Sequence, residues 1–336
     1  MMNLPPVLRR LLWPLSLLYG VGVRLRGWLY ANYWLKQKRL KATVISVGNL
    51  TVGGTGKTPM VIWIAERLIA EGKHVAILSR GYGGTNGTSD EIELMKFRLR
   101  DRVLFGVGKN RFAEGQRLQS QQSIDVFLLD DGFQHLQLAR DLDILLMDAS
   151  RPLAGESLLP AGRLREPLAA MSRANLIVFT RAETASGTLE AIGKLNQYPV
   201  FAASTRLLGF HRFGGETALL SASEIGAGPF FAFCGLGNPD AFFRDLRSWG
   251  LAICGQATFP DHHCYTQRDI LTVKQAGKRA GANALVTTEK DAQNLKGLKF
   301  EEAPVYVAVI DMAVTPEADF RNVLDQTLAA GAGAAA

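Results

Sequence analysis

The sequence is poor in cysteine, and the three present, Cys234, Cys254 and Cys264, never form a CxxC pair. That spacing excludes a disulfide scaffold or a zinc knuckle and suits a reducing compartment, with each thiol reading as a small core residue. Acidic residues are absent before Glu66, although Arg9, Arg10, Arg24, Arg26, Lys36, Lys38, Arg39 and Lys41 all precede it. No apolar run reaches the roughly 20 residues that a bilayer span requires. There is no fixed-period repeat and no heptad run. An N-K-x-D guanine motif is also missing, FTRAE at Phe179–Glu183 being a poor substitute.

The remaining balance is globular: 47% hydrophobic and 21% charged residues over 336 positions, enough for two ordinary domains. A net charge of +7 points to an acidic partner, either nucleic acid, anionic lipid or a phosphorylated substrate. The N-terminus chooses among these. Leu11–Val23 is charge-free and flanked by arginines, no A-x-A cleavage site follows it, and Trp28, Tyr30, Tyr33 and Trp34 adjoin the lysines. Apolar, aromatic and basic residues in that order suit a helix lying on an anionic membrane surface rather than a nucleic-acid patch, the alternative being an N-terminal helix packed on the protein's own core.

From Thr43 the pattern becomes strand, loop, helix. TVISVGN, HVAILS, VLFGVG, DVFLLD, LDILLMD and NLIVFT are short apolar runs, expected as parallel strands covered on both faces. The expected fold is therefore α/β, a P-loop NTPase-like, doubly wound, mostly parallel sheet. A looser stretch near Leu207–Pro229 precedes four more runs, which form a second, smaller α/β domain. The expected organisation is a membrane-surface helix at 1–41, a P-loop domain at 42–206, the second domain at 207–330 and a disordered tail at 331–336.

GNLTVGGTGKTP follows the first strand and opens a helix. It departs from G-x-x-x-x-G-K-[ST] only in carrying Thr51 where the first glycine belongs. Gly53, Gly54, Thr55 and Gly56 would turn backbone N–H groups toward phosphate, Lys57 would reach the β- and γ-phosphates, and Thr58 would ligate Mg²⁺. VFLLDDGFQH has the layout of a Walker B strand, with Asp130 and Asp131 as metal-side carboxylates. His135, four residues on, either touches phosphate or metal or caps the turn.

Three more stretches have the composition of a site. Ser79–Glu91 is a glycine-rich loop holding Tyr82 and ending in Asp90 and Glu91, placed where such sheets bind substrates. LLPAGRLREP presents Arg163 and Arg165 as candidate phosphate clamps. FPDHHCYT places Asp261, His262 and His263 at a strand end, for an acid–base or base-orienting role or for a structural one.

VGNLTVGGTGKTP, LSRGYGG, SDE, DDGFQH, LPAGRLREP, FPDHH and TTEKDA, in this order, resemble the tetraacyldisaccharide 4′-kinase family of Gram-negative bacteria. The resemblance runs from the N-terminal helix to about residue 310. In that family Thr51 is the usual residue. The resemblance implies a membrane-associated P-loop kinase on the cytoplasmic face of the inner membrane, acting in lipid A and lipopolysaccharide biosynthesis. It would move the γ-phosphate of ATP to the 4′-hydroxyl of a tetraacyldisaccharide 1-phosphate, giving lipid IVA, with no obligate protein partner. It further implies that Lys57 and Thr58 hold ATP and Mg²⁺, that Asp90 is the general base and that His262 supports it. Because His262 lies beyond residue 207, a domain-closure step is expected to bring it to Asp90. The rival from another class is a membrane-bound P-loop ATPase or GTPase switch acting on a protein partner.

Overall fold

The computed structural model describes residues 5–81, 89–151, 153, 155–184, 198–215, 218–300 and 304–334. The chain forms two compact units. Residues 2–81, 99–204 and 312–336 make the first, and residues 82–98 with 205–311 make the second. The expected single boundary between 206 and 207 is thus one of four crossings, at 81/82, 98/99, 204/205 and 311/312.

The first unit opens with helix α1 (Pro6–Ala31) and strand β1 (Thr43–Asn49). It continues with α2 (Lys57–Ala70), β2 (Val75–Ser79), β3 (Val103–Val107), α4 (Arg111–Gln121), β4 (Val126–Asp130), β5 (Leu142–Asp148) and β6 (Leu176–Thr180). Between β2 and β3 the chain makes helix α3 (Asp90–Leu99), most of which belongs to the second unit. Strand β7 (Val200–Arg212) starts in the first unit, in the order β3-β2-β4-β1-β5-β6-β7. Every registered pair is parallel. All residues of β1, β2, β4 and β6 are buried, as the continuous apolar runs require of strands covered on both faces. β1 lies between β4 and β5, so the chain leaves it at the point where strand order reverses. In open α/β sheets that is where ligands bind.

One face of this sheet packs Leu40, Val44, Leu78, Leu118, Phe127 and Leu129 together, and Leu145, Ile177 and Phe179 join a second cluster with Leu50, Phe133 and Leu164 from the loops that follow β1, β4 and β5. Helix α2 is buried nearly all round, including Met60, Val61, Trp63 and Ile64. The reason is the C-terminal helix α8 (Glu317–Ala334). Its Phe320 stands edge-on to Trp63 and Phe201, with ring centroids 5.5 and 5.0 Å apart. α8 continues through Ala334, so residues 331–334 are helical where a disordered tail was expected.

The second unit contains α3 and strands β8 (Phe230–Cys234), β9 (Ile253–Thr258), β10 (Ala284–Thr288) and β11 (Val305–Thr315). Its helices are α5 (Pro239–Ser248), α6 (Gln267–Arg279) and α7 (Glu289–Asn294). The order is β7-β11-β10-β8-β9, and the pairs β11–β10, β10–β8 and β8–β9 are parallel. β8 shows why both faces are apolar. Phe230, Ala232 and Cys234 join one cluster with Phe242, Phe243 and Leu246 of α5. Phe231 and Phe233 join the other, with Ile270 and Val273 of α6. α6 begins with a capping box between Thr266 and Asp269. β9, at the edge, alternates half-buried and exposed residues.

Candidate active site

Two groups of functional side chains form, one in each unit. In the first unit the chain leaves β1 through a loop tied down on its outer side. Thr51 bridges to Leu164, Val52 N–H donates to the Arg163 carbonyl at 2.9 Å, and Arg165 N–H donates to the Leu50 carbonyl at 2.7 Å. The residue that departs from the strict loop pattern is thus a buried backbone anchor. Asn49 Nδ2 donates to Thr55 Oγ1 at 2.8 Å, and Thr180 Oγ1 to the Thr55 carbonyl at 3.1 Å. Gly53 and Gly56 have φ of +111° and +82°, which L side chains rarely adopt. Side chains built at Gly53 or Gly54 would meet nothing within 4 Å, so this backbone borders open space. Gly56 is the N-cap of α2, and Lys57 and Thr58 occupy the first turn, where N–H groups point outward and the helix dipole favours an anion.

Lys57 Nζ lies 3.7 Å from Asp131 Oδ1. Asp130, the last residue of β4, is buried and accepts a hydrogen bond from Ser79 Oγ at 3.3 Å. Asp131 sits at φ +51°, which turns its carboxylate out of the strand direction and toward Arg165. Arg165 Nη1 donates to both its oxygens, at 2.8 and 2.7 Å. Burial pushes the Asp131 carboxyl upward, but the charges of Lys57, Arg165 and Arg111 outweigh it and hold the group below the usual carboxylate range. Arg111 also donates to the Asp131 carbonyl at 3.1 Å. These groups suit Mg²⁺-nucleotide: a hydroxyl and two adjacent carboxylates for a hard cation, one lysine, and glycine backbone open to phosphate. Thr58, Asp130 and Asp131 would hold the metal, and Gly53 to Thr58 the phosphates.

The two expected phosphate clamps both have carboxylate partners. Arg165 grips Asp131, and Arg163 pairs with Glu156 at 2.8 Å, where Arg9 of α1 also reaches at 3.1 Å. His135 caps its turn through its backbone, N–H to the Gly132 carbonyl at 2.8 Å. Burial and the field of Arg111, Arg140, Arg26 and Arg80 push its ring down to about 4, so the imidazole is neutral near pH 7. Its Nε2 is buried without a hydrogen-bond partner, which leaves a ring nitrogen available to a phosphate oxygen or to metal-bound water.

In the second unit Asp90 is the first residue of α3 and is buried. His262 Nδ1 lies 2.8 Å from Asp90 Oδ1, and Glu91 N–H donates to the same oxygen at 3.0 Å. Burial raises the Asp90 carboxyl, but the His262 hydrogen bond and the Lys290 charge reverse the sign and hold it low. The same hydrogen bond raises the His262 imidazole against burial and Lys290. His262 takes φ +61°, the backbone cost of turning its ring to Asp90. His263 points elsewhere: Nε2 meets Asp269 Oδ2 at 3.1 Å and the ring stacks on Phe259 at 4.8 Å. Of the two adjacent histidines, His262 is therefore the one beside Asp90.

This contact corrects the expected closure step. Residues 82–98 belong with 205–311, so Asp90 and His262 meet inside one unit and need no domain movement to pair. Glu91 contributes its backbone to Asp90, while Tyr82 lies outside the described residues. Sequence reading missed Lys290, which reaches both Asp261 and Asp90, and Arg111. The only available signal for Lys290 was its place in TTEKDA, two residues past the end of a buried strand.

A family model described as tetraacyldisaccharide-1-P 4′-kinase matches residues 8–329. Among curated relatives, the tetraacyldisaccharide 4′-kinase of Geobacter metallireducens is 40% identical over 340 residues, 95% of this chain and 98% of the relative. That of Geobacter sulfurreducens is 41% identical over 329 residues, covering 93% and 91%. A crystal structure of LpxK from Aquifex aeolicus in complex with ATP superposes with a TM-score of 0.76 at 30% identity, covering 96% of this chain and 99% of that one. With both the nucleotide loop and the Asp90–His262 pair inside the matched span, the chain belongs to the tetraacyldisaccharide-1-P 4′-kinase family.

Proposed function

We propose that this protein transfers the γ-phosphate of ATP to the 4′-hydroxyl of a tetraacyldisaccharide 1-phosphate, a lipid A precursor. The observation that carries the reading is the 2.8 Å contact that holds Asp90 as a carboxylate against His262, in a chain whose other unit offers a glycine loop with Lys57 and Thr58. Phosphoryl transfer needs charge neutralisation and in-line placement more than covalent help. Lys57 faces the β- and γ-phosphates, and the backbone of Gly53 to Gly56 cradles them. Thr58, Asp130 and Asp131 would hold Mg²⁺, which when bound would supply neutralisation of phosphate charge. Asp90 accepts the proton of the attacking hydroxyl, and His262 orients the carboxylate and supports its charge. His135, neutral and buried, serves the phosphate side, and Glu91 faces the acceptor.

The acceptor carries acyl chains, so the enzyme must work at a lipid surface. Among the described residues no helix is long and apolar enough to cross a membrane. α1 and the residues after it instead expose apolar side chains, Leu18 at 71%, Trp34 at 74% and Tyr33 at 87%, among Arg10, Arg24, Arg26 and Lys36. We assign this face to the anionic headgroup region of the cytoplasmic side of the inner membrane.

The test is incubation with γ-labelled ATP and an acylated disaccharide 1-phosphate, followed by identification of the labelled position. Label at the 4′-oxygen is the expected result. Release of labelled inorganic phosphate at the same rate with and without the acceptor would favour an ATPase switch and overturn the reading.

A further inference from the structure

Helix α7 spans only Glu289–Asn294, yet four of its side chains bear on the part of the second unit that holds Asp90. Glu289 is buried and takes Arg98 Nη1 on both oxygens, at 3.1 and 3.0 Å; Arg98 lies on α3, the helix that Asp90 opens. Asp291 is buried and accepts from Gly235 N–H at 2.8 Å, Tyr265 Oη at 2.9 Å and Thr288 Oγ1 at 2.6 Å. Those two anchors fix α7 against α3 on one side and against the ends of β8 and β10 on the other. Lys290 and Asn294, four residues apart and so on one face of the helix, both reach Asp90 Oδ2, at 3.5 Å each.

Lys290 also donates to Asp261 Oδ1 at 2.8 Å, and Asp261 adjoins His262, whose Nε2 lies 3.9 Å from the same oxygen. The Asp90 carboxylate is thus divided. Oδ1 receives His262 and the Glu91 N–H, while Oδ2 faces Lys290 and Asn294. The Lys290 side chain is 15% exposed and that of Asp90 5%, so the two charges act on one another through little water.

From this geometry we propose that Lys290 is a positioning residue of the phosphoryl-transfer reaction, holding Asp90 ionised and aimed while it fixes Asp261 beside His262. The assignment rests on Asp90 being the general base. Among the described residues, the charged groups around Asp90 are His262 and Asp261 from the loop after β9, Lys290 from α7 and Glu91 from α3 itself. Lys290 is the only ammonium among them, and its separation from Asp90 is fixed by the Asp261 bond. An ammonium so close to a buried carboxylate lowers its proton affinity, so removing it raises the pH at which the base is lost.

The experiment is the pH profile of kcat/KM for the acylated disaccharide at saturating Mg²⁺-ATP, in the full-length protein. Lys290→Met is expected to move the acid limb, which belongs to the Asp90–His262 pair as a whole, upward by about one unit. It is also expected to lower kcat with KM for ATP unchanged, and Lys290→Arg is expected to restore most of both. A Lys290→Met enzyme that loses activity with an unmoved acid limb has lost only structure, and the proposal falls. Should that variant not fold, the Lys290→Met/Asp261→Asn protein removes the ion pair whole, and its acid limb decides the question in the same way. Asp90→Asn is run alongside. Retention of wild-type turnover there overturns the base assignment itself, a result distinct from an unmoved limb in the lysine variants.

Discussion

Arg165 donates through a single nitrogen to both oxygens of Asp131, at 2.8 and 2.7 Å, while Lys57 of the nucleotide loop stands 3.7 Å from one of them. Asp131 follows a buried strand at a left-handed φ of +51°, and Arg165 comes from a loop hydrogen-bonded to Leu50. The arginine therefore fixes the direction of a carboxylate proposed for the metal side. Arg165→Met is expected to lower kcat by about 10²-fold, the cost of a misplaced catalytic group. Arg165→Lys should recover part of that, since it restores charge without the planar fork. Wild-type kcat in Arg165→Met would show that Asp131 is held by the other contacts alone.

Asp90→Asn preserves the shape of the side chain and removes its capacity to take a proton. Turnover should fall by about 10²- to 10⁴-fold. ATP binding, measured by calorimetry, should stay as in wild type, because the nucleotide loop lies in the other unit. Equal losses in turnover and ATP affinity would sink the base assignment.

His135 gives a pH prediction whose sign can be worked out. Its folded value of about 4 lies below the ordinary 6.5, so the unfolded chain takes up the proton first. Stability is therefore lost as pH falls from about 6.5 toward 4, and the penalty is constant below that. His135→Gln removes this slope. Denaturation midpoints of the two proteins, compared at pH 7.5 and pH 5, should shift in favour of the variant at the lower pH. A difference that stays constant between the two would show that His135 is not buried in its neutral form.

Gly48 tests the packing between β1 and the turn after β4. A Cβ there would stand 2.6 Å from both the Phe133 backbone nitrogen and its Cβ, in a fully buried strand. Phe133 is one residue past Gly132 in the turn that follows Asp131, so the clash would displace that turn. Gly48→Ala should cost about 1–3 kcal/mol of stability and reduce activity beyond what the lower melting temperature explains.

The N-terminal helix is tied to the same machinery. Ser16 Oγ donates to the Leu158 carbonyl at 3.0 Å and accepts from Ala161 N–H at 2.9 Å, and Tyr19 Oη donates to the Arg165 carbonyl at 2.8 Å. Deletion of residues 1–35 should release the protein from anionic vesicles in a sedimentation assay. It should also lower kcat on detergent-dispersed substrate, because the segment that aims Arg165 loses its support. Full activity on dispersed substrate would confine α1 to membrane attachment.

The first unit was largely legible in the sequence because its signals are local. An apolar run, a glycine loop and a helix start are contiguous in TVISVGNLTVGGTGKTP, and β4 ends directly in its two carboxylates. β7 was not legible: Ser204, Thr205, Arg206 and Gly209 interrupt its apolar pattern, and its central residues are only half-buried or exposed. The partners of Asp90 other than His262 escaped for a different reason. Asn294 meets Asp90 across 204 positions, and Lys290 meets Asp261 across 29, so no window of sequence contains them together. The pairing of Arg165 with the Asp131 carboxylate was equally invisible, since either a phosphate or a carboxylate satisfies a guanidinium.

The fourfold crossing of the chain between units sets the order in which the protein can be completed during synthesis. Asp90 and α3 emerge early, between β2 and β3, but their partners His262 and Lys290 come far downstream. The nucleotide-loop unit waits longer still, because Phe320, which closes over Trp63 and Phe201, is made only with the last helix. A nascent chain stopped before α8 would hold the Asp90 cluster complete and leave Trp63 uncovered. The half that carries the glycine loop is thus the last to become native, and no fragment cut once from either end contains it whole.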